Sequence, residues 1–355
     1  MMQIYHMLQS IIPELRLVSN QRCDYIKAEK LEIIKKRSNQ KGIFAPTYWS
    51  LGMRKWSNEH QGVLYRLQKH SEEWIKSIPD LSSLDLVIMD DPVYFLPLFK
   101  KLVKLGVPVI GVIHNIESLA SDQVKPEWHL NLLEEELKIL KHCRLVITIS
   151  REEDIFLSNI GISTLYIPYY PVEPIFRRLT DIRESRRNTE KDGVLMIGST
   201  KNLPTCEGMH GVASFWEHKR LDRLHGKLII GGYKSETYFD ASLYPQSVDF
   251  RGTLKNDALD DILKNIKVSL CFQKSGSGAL TRIAEMLIAG VPVLANTQAA
   301  RSYYNIQGVM EFRELEDLYE ILANPDNFES EIRLPDQPDT ASLGIEIKRC
   351  VRLTS

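Results

Sequence analysis

The segment 268–294 constrains the fold more than any other part of the chain. An apolar run opens it, and the loop that follows contains Gly276 and Gly278, which release the backbone from side-chain constraints. Apolar residues then recur at helical spacing over 280–288, Gly290 is placed to end that helix, and the segment closes on a second apolar run. A buried strand, a helix and another buried strand in this order predict a parallel sheet of an α/β protein.

A helix that begins directly after a glycine-rich loop predicts an anion site, because free N–H groups and the positive end of the helix dipole meet there. Arg282 and Glu285 lie three residues apart on the polar face of this helix. The cation suits a pyrophosphate and the carboxylate suits ribose hydroxyls, so the pair favours a nucleoside diphosphate. Without further context, Gly-Ser-Gly is a common loop and the two residues could equally form a solvated ion pair.

The same alternation of short apolar strands and helical patterns runs through most of the chain. The strands are rich in Val, Ile and Leu, as expected where both faces are buried. Strand candidates are 85–89, 107–113, 145–149, 164–167, 194–197, 227–230, 248–250, 268–272, 291–294 and 309–312. Within the less regular first eighty residues, 24–41 is a highly charged helix candidate. A chain of 355 residues is too long for one ordinary core, so we expect two doubly wound parallel sheets.

Composition divides the chain into an N-terminal domain over 1–171, a linker over 172–192, a C-terminal domain over 193–330 and a tail over 331–355. The linker is rich in arginine and poor in apolar residues, so it can bury little and we expect it to be exposed. The tail ends in a short amphipathic helix candidate.

Charge and cysteine content exclude several classes of function. A net charge of −1 provides no global field that would attract nucleic acid. The five cysteines show no paired spacing, which is typical of a cytosolic protein rather than of a disulfide framework or a zinc site. No apolar run reaches transmembrane length, and the first residues lack the layout of a signal peptide. We therefore expect a cytoplasmic protein; peripheral contact with the inner face of a membrane and the oligomeric state stay open.

Asp90 and Asp91 follow a predicted strand, and such an acidic pair could bind a metal ion. Pro92 comes next and no third ligand is spaced nearby, so a strand-end turn and helix cap is the better interpretation. We expect neither a metal nor another cofactor.

Several motifs together resemble one enzyme family. The Gly-Ser-Gly loop with Arg282, Glu285 and the run 289–293 resembles the donor-site signature of retaining GT-B glycosyltransferases of the family 4 type. Upstream, 193–199, 227–232 and 248–254 are similar to the first strands and turns of that family's C-terminal domain. In the N-terminal half, 109–117 resembles the strand that ends at a sugar-facing histidine.

The resemblance implies a GT-B fold, in which two Rossmann-like domains with parallel sheets face each other across a cleft. It implies transfer of a sugar, with retention and without a metal, from a nucleotide-diphosphate sugar to a hydroxyl of a glycan, lipid-linked or small-molecule acceptor. His114 and Arg282 would be catalytic, and Asn115, Tyr48 and Trp49 would meet the acceptor. A closing helix in the tail would pack back on the N-terminal domain. The residues expected to bind the donor are Ser199, Lys201, Arg251, Gly252, Leu254, Gly276, Ser277, Gly278, Ala279, Leu280, Thr281, Arg282 and Glu285.

Three departures from the family pattern keep two alternatives open. The chain has no glycine before Gly42, Ser277 stands where many members have a glutamate, and the loop after 194–197 offers one cation, Lys201. One alternative is a nucleotide-sugar epimerase of the same fold. The other is a non-catalytic subunit that binds a sugar or a nucleotide.

Overall fold

The computed structural model describes residues 4–7, 32–34, 75–76, 80–120, 124–200, 202–244, 246–324, 328, 332–338 and 340–352. Tyr48, Trp49 and Lys201 lie outside the described residues. The chain forms two compact units. Unit 1 comprises Met1–Val172, Ser277–Ala279 and Gln337–Ser355, and unit 2 comprises Glu173–Gly276 and Leu280–Asp336.

Unit 1 contains a parallel sheet of six strands in the order β2-β1-β3-β4-β5-β6. Its strands are β1 (Ile4–Met7), β2 (Glu32–Ile34), β3 (Leu86–Asp90), β4 (Val109–Val112), β5 (Leu145–Thr148) and β6 (Thr164–Tyr166). Helices α1 (Leu96–Leu105), α2 (His129–Lys141) and α3 (Arg151–Asn159) connect the later strands. The helix expected over 24–41 is wrong at residues 32–34, which form β2 because they pair with β1.

Unit 2 contains a second parallel sheet of six strands in the order β12-β11-β10-β7-β8-β9. Its strands are β7 (Val194–Ile197), β8 (Leu228–Gly231), β9 (Val248–Gly252), β10 (Val268–Cys271), β11 (Val293–Asn296) and β12 (Val309–Phe312). Its helices are α4 (Glu173–Arg186), α5 (Leu203–Lys219), α6 (Asp222–His225), α7 (Ser235–Tyr238), α8 (Asn256–Asn265), α9 (Thr281–Ile288), α10 (Thr297–Ala300) and α11 (Leu315–Ala323). The prediction of two Rossmann-like parallel sheets is thereby confirmed.

Strand order reverses once in the unit 2 sheet, between β7 and β10. After β7 the chain adds β8 and β9 on one side, and it then crosses over to build β10, β11 and β12 on the other. The loops that leave the carboxyl ends of β7 and β10 therefore diverge, and open α/β sheets bind ligands at such a point. The glycine-rich loop predicted to bind an anion is the loop that leaves β10.

The C-terminal helix α12 (Thr340–Arg352) packs on the unit 1 sheet. Alternate residues of a strand point to opposite faces, so β3 sends Leu86 and Ile88 to the face opposite α1. Leu343 and Ile347 lie one helical turn apart and bury against that second face. Helix α12 thus buries the apolar side chains on the face of the sheet opposite α1.

The expectation of an exposed linker is wrong over 173–186, because this segment is helix α4 and packs within unit 2. Leu179 and Ile182 are buried, and Arg186 is only 3% exposed. Arg186 Nε donates to the carbonyl of Gly290 at 2.9 Å, and Nη1 donates to the carbonyls of Leu263 and Ile266. Arg186, which counted toward a solvated segment, instead satisfies carbonyl groups at the ends of α8 and α9.

Arg183 has the same role one turn earlier on α4. Its Nε and Nη2 donate to the carbonyls of Ile288 and Leu287 at the end of α9, at 3.0 and 2.7 Å, and its Nη1 donates to the carbonyl of Ile332 at 2.8 Å. Burial lowers the pKa of Arg186 to about 10, and the positive charge of Arg183 adds to this effect. Arg186 therefore remains charged at neutral pH.

We predict that Arg186→Met destabilises the protein by about 2–4 kcal/mol, because three carbonyl groups, two of them in buried hydrogen bonds, lose their donor. Arg187→Met is the matched control, since Arg187 is 68% exposed and pairs only with the exposed Glu184 in the contacts described. The midpoint of thermal unfolding measures both effects. Equal midpoints for the two variants would contradict the capping role of Arg186.

Candidate functional site

Arg282 occupies the first turn of α9 and bonds to the end of β7. Its Nη1 donates to the carbonyl of Ile197 at 3.1 Å, and its Nη2 lies 3.4 Å from Thr205 Oγ1. Its Nε is buried and has no hydrogen-bond partner among the described residues. A side chain at Gly198 would collide with the guanidinium, so the glycine makes room for it. The predicted phosphate-binding cation is therefore held at the point where strand order reverses.

The loop between β10 and α9 depends on its two glycines. Gly276 has φ of 132° and Gly278 has φ of 69°, which are conformations that other residues adopt only with strain. The N-cap of α9 is Leu280, which provides no side-chain hydrogen bond to the first turn. An anion at this helix start would meet N–H groups that lack a side-chain cap.

A buried polar network joins the carboxyl ends of the neighbouring strands. Gln273 is 2% exposed, and its backbone N–H donates to Asn296 Oδ1 at 2.9 Å. Its Nε2 donates to Thr205 Oγ1 at 3.0 Å, and its Oε1 accepts from Arg301 Nη1 at 3.0 Å. The Thr205 hydroxyl in turn donates to Asn202 Oδ1 at 2.6 Å. Sequence reasoning missed Gln273 and Asn296, although both lie just beyond a predicted strand.

Arg251 and Leu254 line a cavity of about 410 Å³ in unit 2. Arg251 is 53% exposed and forms an ion pair with Asp249, at 2.7 Å from Nη2 to Oδ2. Gly252 between them has φ of 64°. The cavity is lined by Asp192, Ile229, Arg251, Leu254, Ala258, Asp261, Ile262, Asn265 and Ile266. Asp192 precedes β7, and Asn265 and Ile266 precede β10, so the cavity extends to the amino ends of these strands.

The remaining predicted donor residues divide between the two units. Glu285 lies in α9 one turn after Arg282 and is half-buried. The carbonyl of Ser199 accepts from the backbone of Asn202 at 3.1 Å and closes the turn after β7. Ser277, Gly278 and Ala279 belong to unit 1, whereas Gly276, Leu280 and Thr281 belong to unit 2.

In unit 1, His114 lies just beyond the carboxyl end of β4 and contacts Asp91. Its backbone N–H donates to Asp91 Oδ1 at 3.1 Å, and its Nε2 lies 3.5 Å from Asp91 Oδ2. The strand-end turn predicted at Asp91 is present, with φ of 41°. The predicted helix cap is wrong, because α1 begins at Leu96 and the Asp91 carboxylate bonds to His114 instead.

Three buried glutamates, Glu117, Glu136 and Glu153, surround the loop after β4. Glu136 accepts from the backbone N–H groups of Glu117 and Ser118 at 3.0 and 2.8 Å. Glu153 Oε1 accepts from the backbone N–H groups of Ile116 and Gly278 at 2.9 and 3.0 Å. Sequence reasoning missed Glu136 and Glu153, because a glutamate in an amphipathic helix is usually on the solvent face. The pattern Ser-x-x-Glu before Glu153 also suggests a helix cap.

Glu117 also bonds to a tyrosine. Tyr94 Oη donates to Glu117 Oε2 at 2.7 Å, and both residues are buried. Burial raises the pKa of Glu117 well above its ordinary value, and the charge of Asp91 raises it further. Burial also raises the pKa values of Tyr94 and Glu136.

Neither a metal-binding cluster nor a membrane-spanning helix occurs among the residues that the structure describes. No group of three or more His, Cys, Asp or Glu side chains among them is arranged to hold a metal ion. None of the helices in the described ranges combines the length and hydropathy that a bilayer crossing requires.

Solved structures with the same fold are nucleotide-sugar glycosyltransferases. Sucrose-phosphate synthase from Thermosynechococcus elongatus is 14% identical, covers 100% of both chains and has a TM-score of 0.62. HepE from Anabaena, in complex with UDP and glucose, is 12% identical over 99% of this chain and 100% of its own, with a TM-score of 0.61. The catalytic domain of starch synthase IV from Arabidopsis thaliana, bound to ADP and acarbose, is 10% identical over 99% of each chain, with a TM-score of 0.59.

The comparison establishes the fold of the chain. No protein-family description matches the sequence, and no curated protein matches it. The chain has the GT-B fold, as the sequence predicts, and its similarity to these enzymes at 10–14% identity is a similarity of fold.

We predict that Glu117→Gln reduces the loss of stability on raising the pH. The folded state keeps a proton on Glu117 that the unfolded chain releases at about pH 4.3, so stability falls as pH rises from that value toward the raised pKa. A glutamine cannot titrate and can still accept from Tyr94.

The measurement compares midpoints of thermal unfolding at pH 5 and pH 8, with Glu127→Gln as the control because Glu127 is exposed. We expect a smaller decrease between the two pH values in Glu117→Gln than in the wild type and the control. The same decrease in all three proteins would show that titration of Glu117 does not cause the loss of stability between pH 5 and pH 8.

Proposed function

We propose that this protein is a glycosyltransferase that uses a nucleotide-diphosphate sugar as donor and a hydroxyl group as acceptor. The observation that carries this proposal is the position of Arg282. Its guanidinium is fixed to the end of β7 and lies in the first turn of the helix that follows the glycine-rich loop. A fixed cation beside uncapped N–H groups suits the diphosphate of such a donor.

The ligands named for the solved structures support this class of donor. HepE was solved with UDP and with UDP-glucose, and starch synthase IV was solved with ADP. Uracil and adenine nucleotides both occur, so the base for this chain stays open. We propose that the base lies beside the turn of Arg251, Gly252 and Leu254, as the family resemblance implies.

Each residue of the proposed donor site has a separate chemical role. Arg282 and the first-turn N–H groups of α9 would stabilise the charge that grows on the diphosphate as its bond to the anomeric carbon breaks. Glu285 would accept hydrogen bonds from the ribose hydroxyls. His114 would face the sugar, and Asn115, with Tyr48 and Trp49, would meet the acceptor.

The resemblance to family 4 enzymes favours retention of configuration. The acceptor oxygen would then form its bond to the anomeric carbon on the face that the diphosphate leaves. Its proton would pass to the departing phosphate oxygen, and the products would be the glycoside and the nucleoside diphosphate. We propose no metal and no further cofactor for this reaction, and we propose that it takes place in the cytoplasm.

Incubation of the full chain with a panel of nucleotide sugars tests the proposal against its alternatives. Transferases often hydrolyse their donor slowly. We therefore expect one nucleotide sugar of the panel to release its nucleoside diphosphate and its reducing sugar in equal amounts. Conversion of the donor into an isomeric nucleotide sugar would instead establish the epimerase. Binding of a donor with neither product would favour a non-catalytic subunit, which the serine at 277 and the absence of glycine before Gly42 also suggest.

We predict that Glu285→Ala weakens binding of the matching nucleoside diphosphate by about 1.5–3 kcal/mol, because charge-assisted hydrogen bonds to the ribose are lost. Glu320→Ala is the control, since Glu320 is an exposed glutamate of α11 in the same unit. Calorimetric titration measures both affinities. An affinity of Glu285→Ala equal to that of the control would remove Glu285 from the site.

We predict that EDTA leaves turnover essentially unchanged, because helix N–H groups and Arg282 supply the positive charge that a metal would otherwise provide. Turnover of the identified donor is measured with and without the chelator. Strong inhibition that manganese or magnesium reverses would contradict the assignment of this role to Arg282 and α9.

A further inference from the structure

Arg301 lies beyond the carboxyl end of β11, directly after the short helix α10. It is half-buried, and its Nη1 donates to the side chain of Gln273 at 3.0 Å and to the carbonyl of Gln298. Gln273 is the second residue after β10, so this contact brings the guanidinium to the start of the glycine-rich loop. Neither its position in the sequence nor the family resemblance indicated a role for Arg301.

Gly276 allows the guanidinium to lie against the loop. A Cβ atom at this position would be 3.0 Å from Arg301 Nη2 and 3.4 Å from Gln273 Oε1. Such a distance to the nitrogen is tighter than almost all real contacts of a Cβ atom. The missing side chain therefore leaves backbone and guanidinium in direct proximity, four residues before the N-cap of α9.

One buried amide connects Arg301 to Arg282. Gln273 presents its Oε1 to Arg301 Nη1 and its Nε2 to Thr205 Oγ1, and Arg282 Nη2 lies 3.4 Å from the same hydroxyl. The Asn296 side chain bonds to both backbone groups of Gln273. Its Oδ1 accepts from the Gln273 N–H at 2.9 Å, and its Nδ2 donates to the Gln273 carbonyl at 2.8 Å. The two guanidinium groups are thus fixed in one rigid network, one on each side of Gln273.

We propose that Arg301 is a second cation for the diphosphate of the donor, in addition to Arg282. This inference rests on the proposed function, because it assigns a residue to the same nucleotide site. A diphosphate carries at least two negative charges on separate phosphate groups, and one guanidinium binds one phosphate bidentately. Two arginines, one on each side of Gln273, match that distribution of charge, and their fixed positions reduce the entropy cost of binding.

A purely structural role for Arg301 makes a different prediction. If the guanidinium only holds Gln273 and the loop, its loss disturbs the site for every ligand, whether charged or neutral. If it binds phosphate, its loss weakens binding of a nucleoside diphosphate and leaves binding of the matching nucleoside unchanged. The comparison of these two ligands therefore separates the two roles.

Calorimetric titration of the full chain tests the proposal with UDP, ADP and GDP, each paired with its nucleoside. We expect Arg301→Gln to lower the affinity for the nucleoside diphosphate that the wild type binds by about tenfold or more. The affinity for the matching nucleoside should not change. Arg301→Lys should recover part of the affinity, because it keeps the charge but loses the planar fork. Arg333→Gln is the control with the same change in net charge, since Arg333 is exposed and pairs with Asp336.

Each outcome decides one of the two claims. If the wild type binds none of the three nucleoside diphosphates and cleaves no donor of the nucleotide-sugar panel, the proposed function fails. If it binds one of them and Arg301→Gln binds it as tightly as Arg333→Gln does, the role of Arg301 is refuted while the proposed function stands. Equal weakening of the nucleoside and the diphosphate would also refute it, in favour of the structural role. Should Arg301→Gln fail to fold, the same comparison is made with Arg301→Lys.

Discussion

The hydrogen bond from Arg282 Nη1 to the carbonyl of Ile197 joins the first turn of α9 to the end of β7, where strand order reverses in unit 2. The absence of a side chain at Gly198 leaves room for this guanidinium and for Thr205, whose hydroxyl accepts from Gln273 Nε2 and lies 3.4 Å from Arg282 Nη2. Because the cation is held by neutral oxygen atoms, its charge remains available to an anionic ligand. Fixing a charge before the ligand arrives is the usual basis of electrostatic catalysis.

Arginine also organises the scaffold behind that loop. Arg183 and Arg186 of α4 donate to carbonyl groups at the ends of α8 and α9, so the helix that presents Arg282 is anchored at its far end. In unit 1, buried carboxylates bond to the backbone in place of arginines, since Glu136 and Glu153 accept from N–H groups of the loop after β4. Each unit therefore fixes a loop at the carboxyl end of its sheet with charged side chains that bond to the backbone.

Patterns of local origin were predictable from the sequence, and long-range contacts of charged residues were not. The strands, the glycine-rich loop and α9 follow from apolar runs and glycine positions, which act within a few residues. The role of α4 was missed because composition gives the charge of Arg186 and not its partners, which lie 77 to 104 residues away. The cap assigned to Asp91 failed for the same reason, since the carboxylate bonds to His114, 23 residues further on.

A crystal structure of the full chain with its preferred nucleoside diphosphate is the most direct test of the central claim. We expect phosphate oxygens within about 3.2 Å of Arg282 and of the first-turn N–H groups of α9. We also expect ribose hydroxyls at the same distance from the Glu285 carboxylate. A nucleotide bound with its diphosphate away from Arg282, or no nucleotide bound at saturating concentration, would contradict that claim.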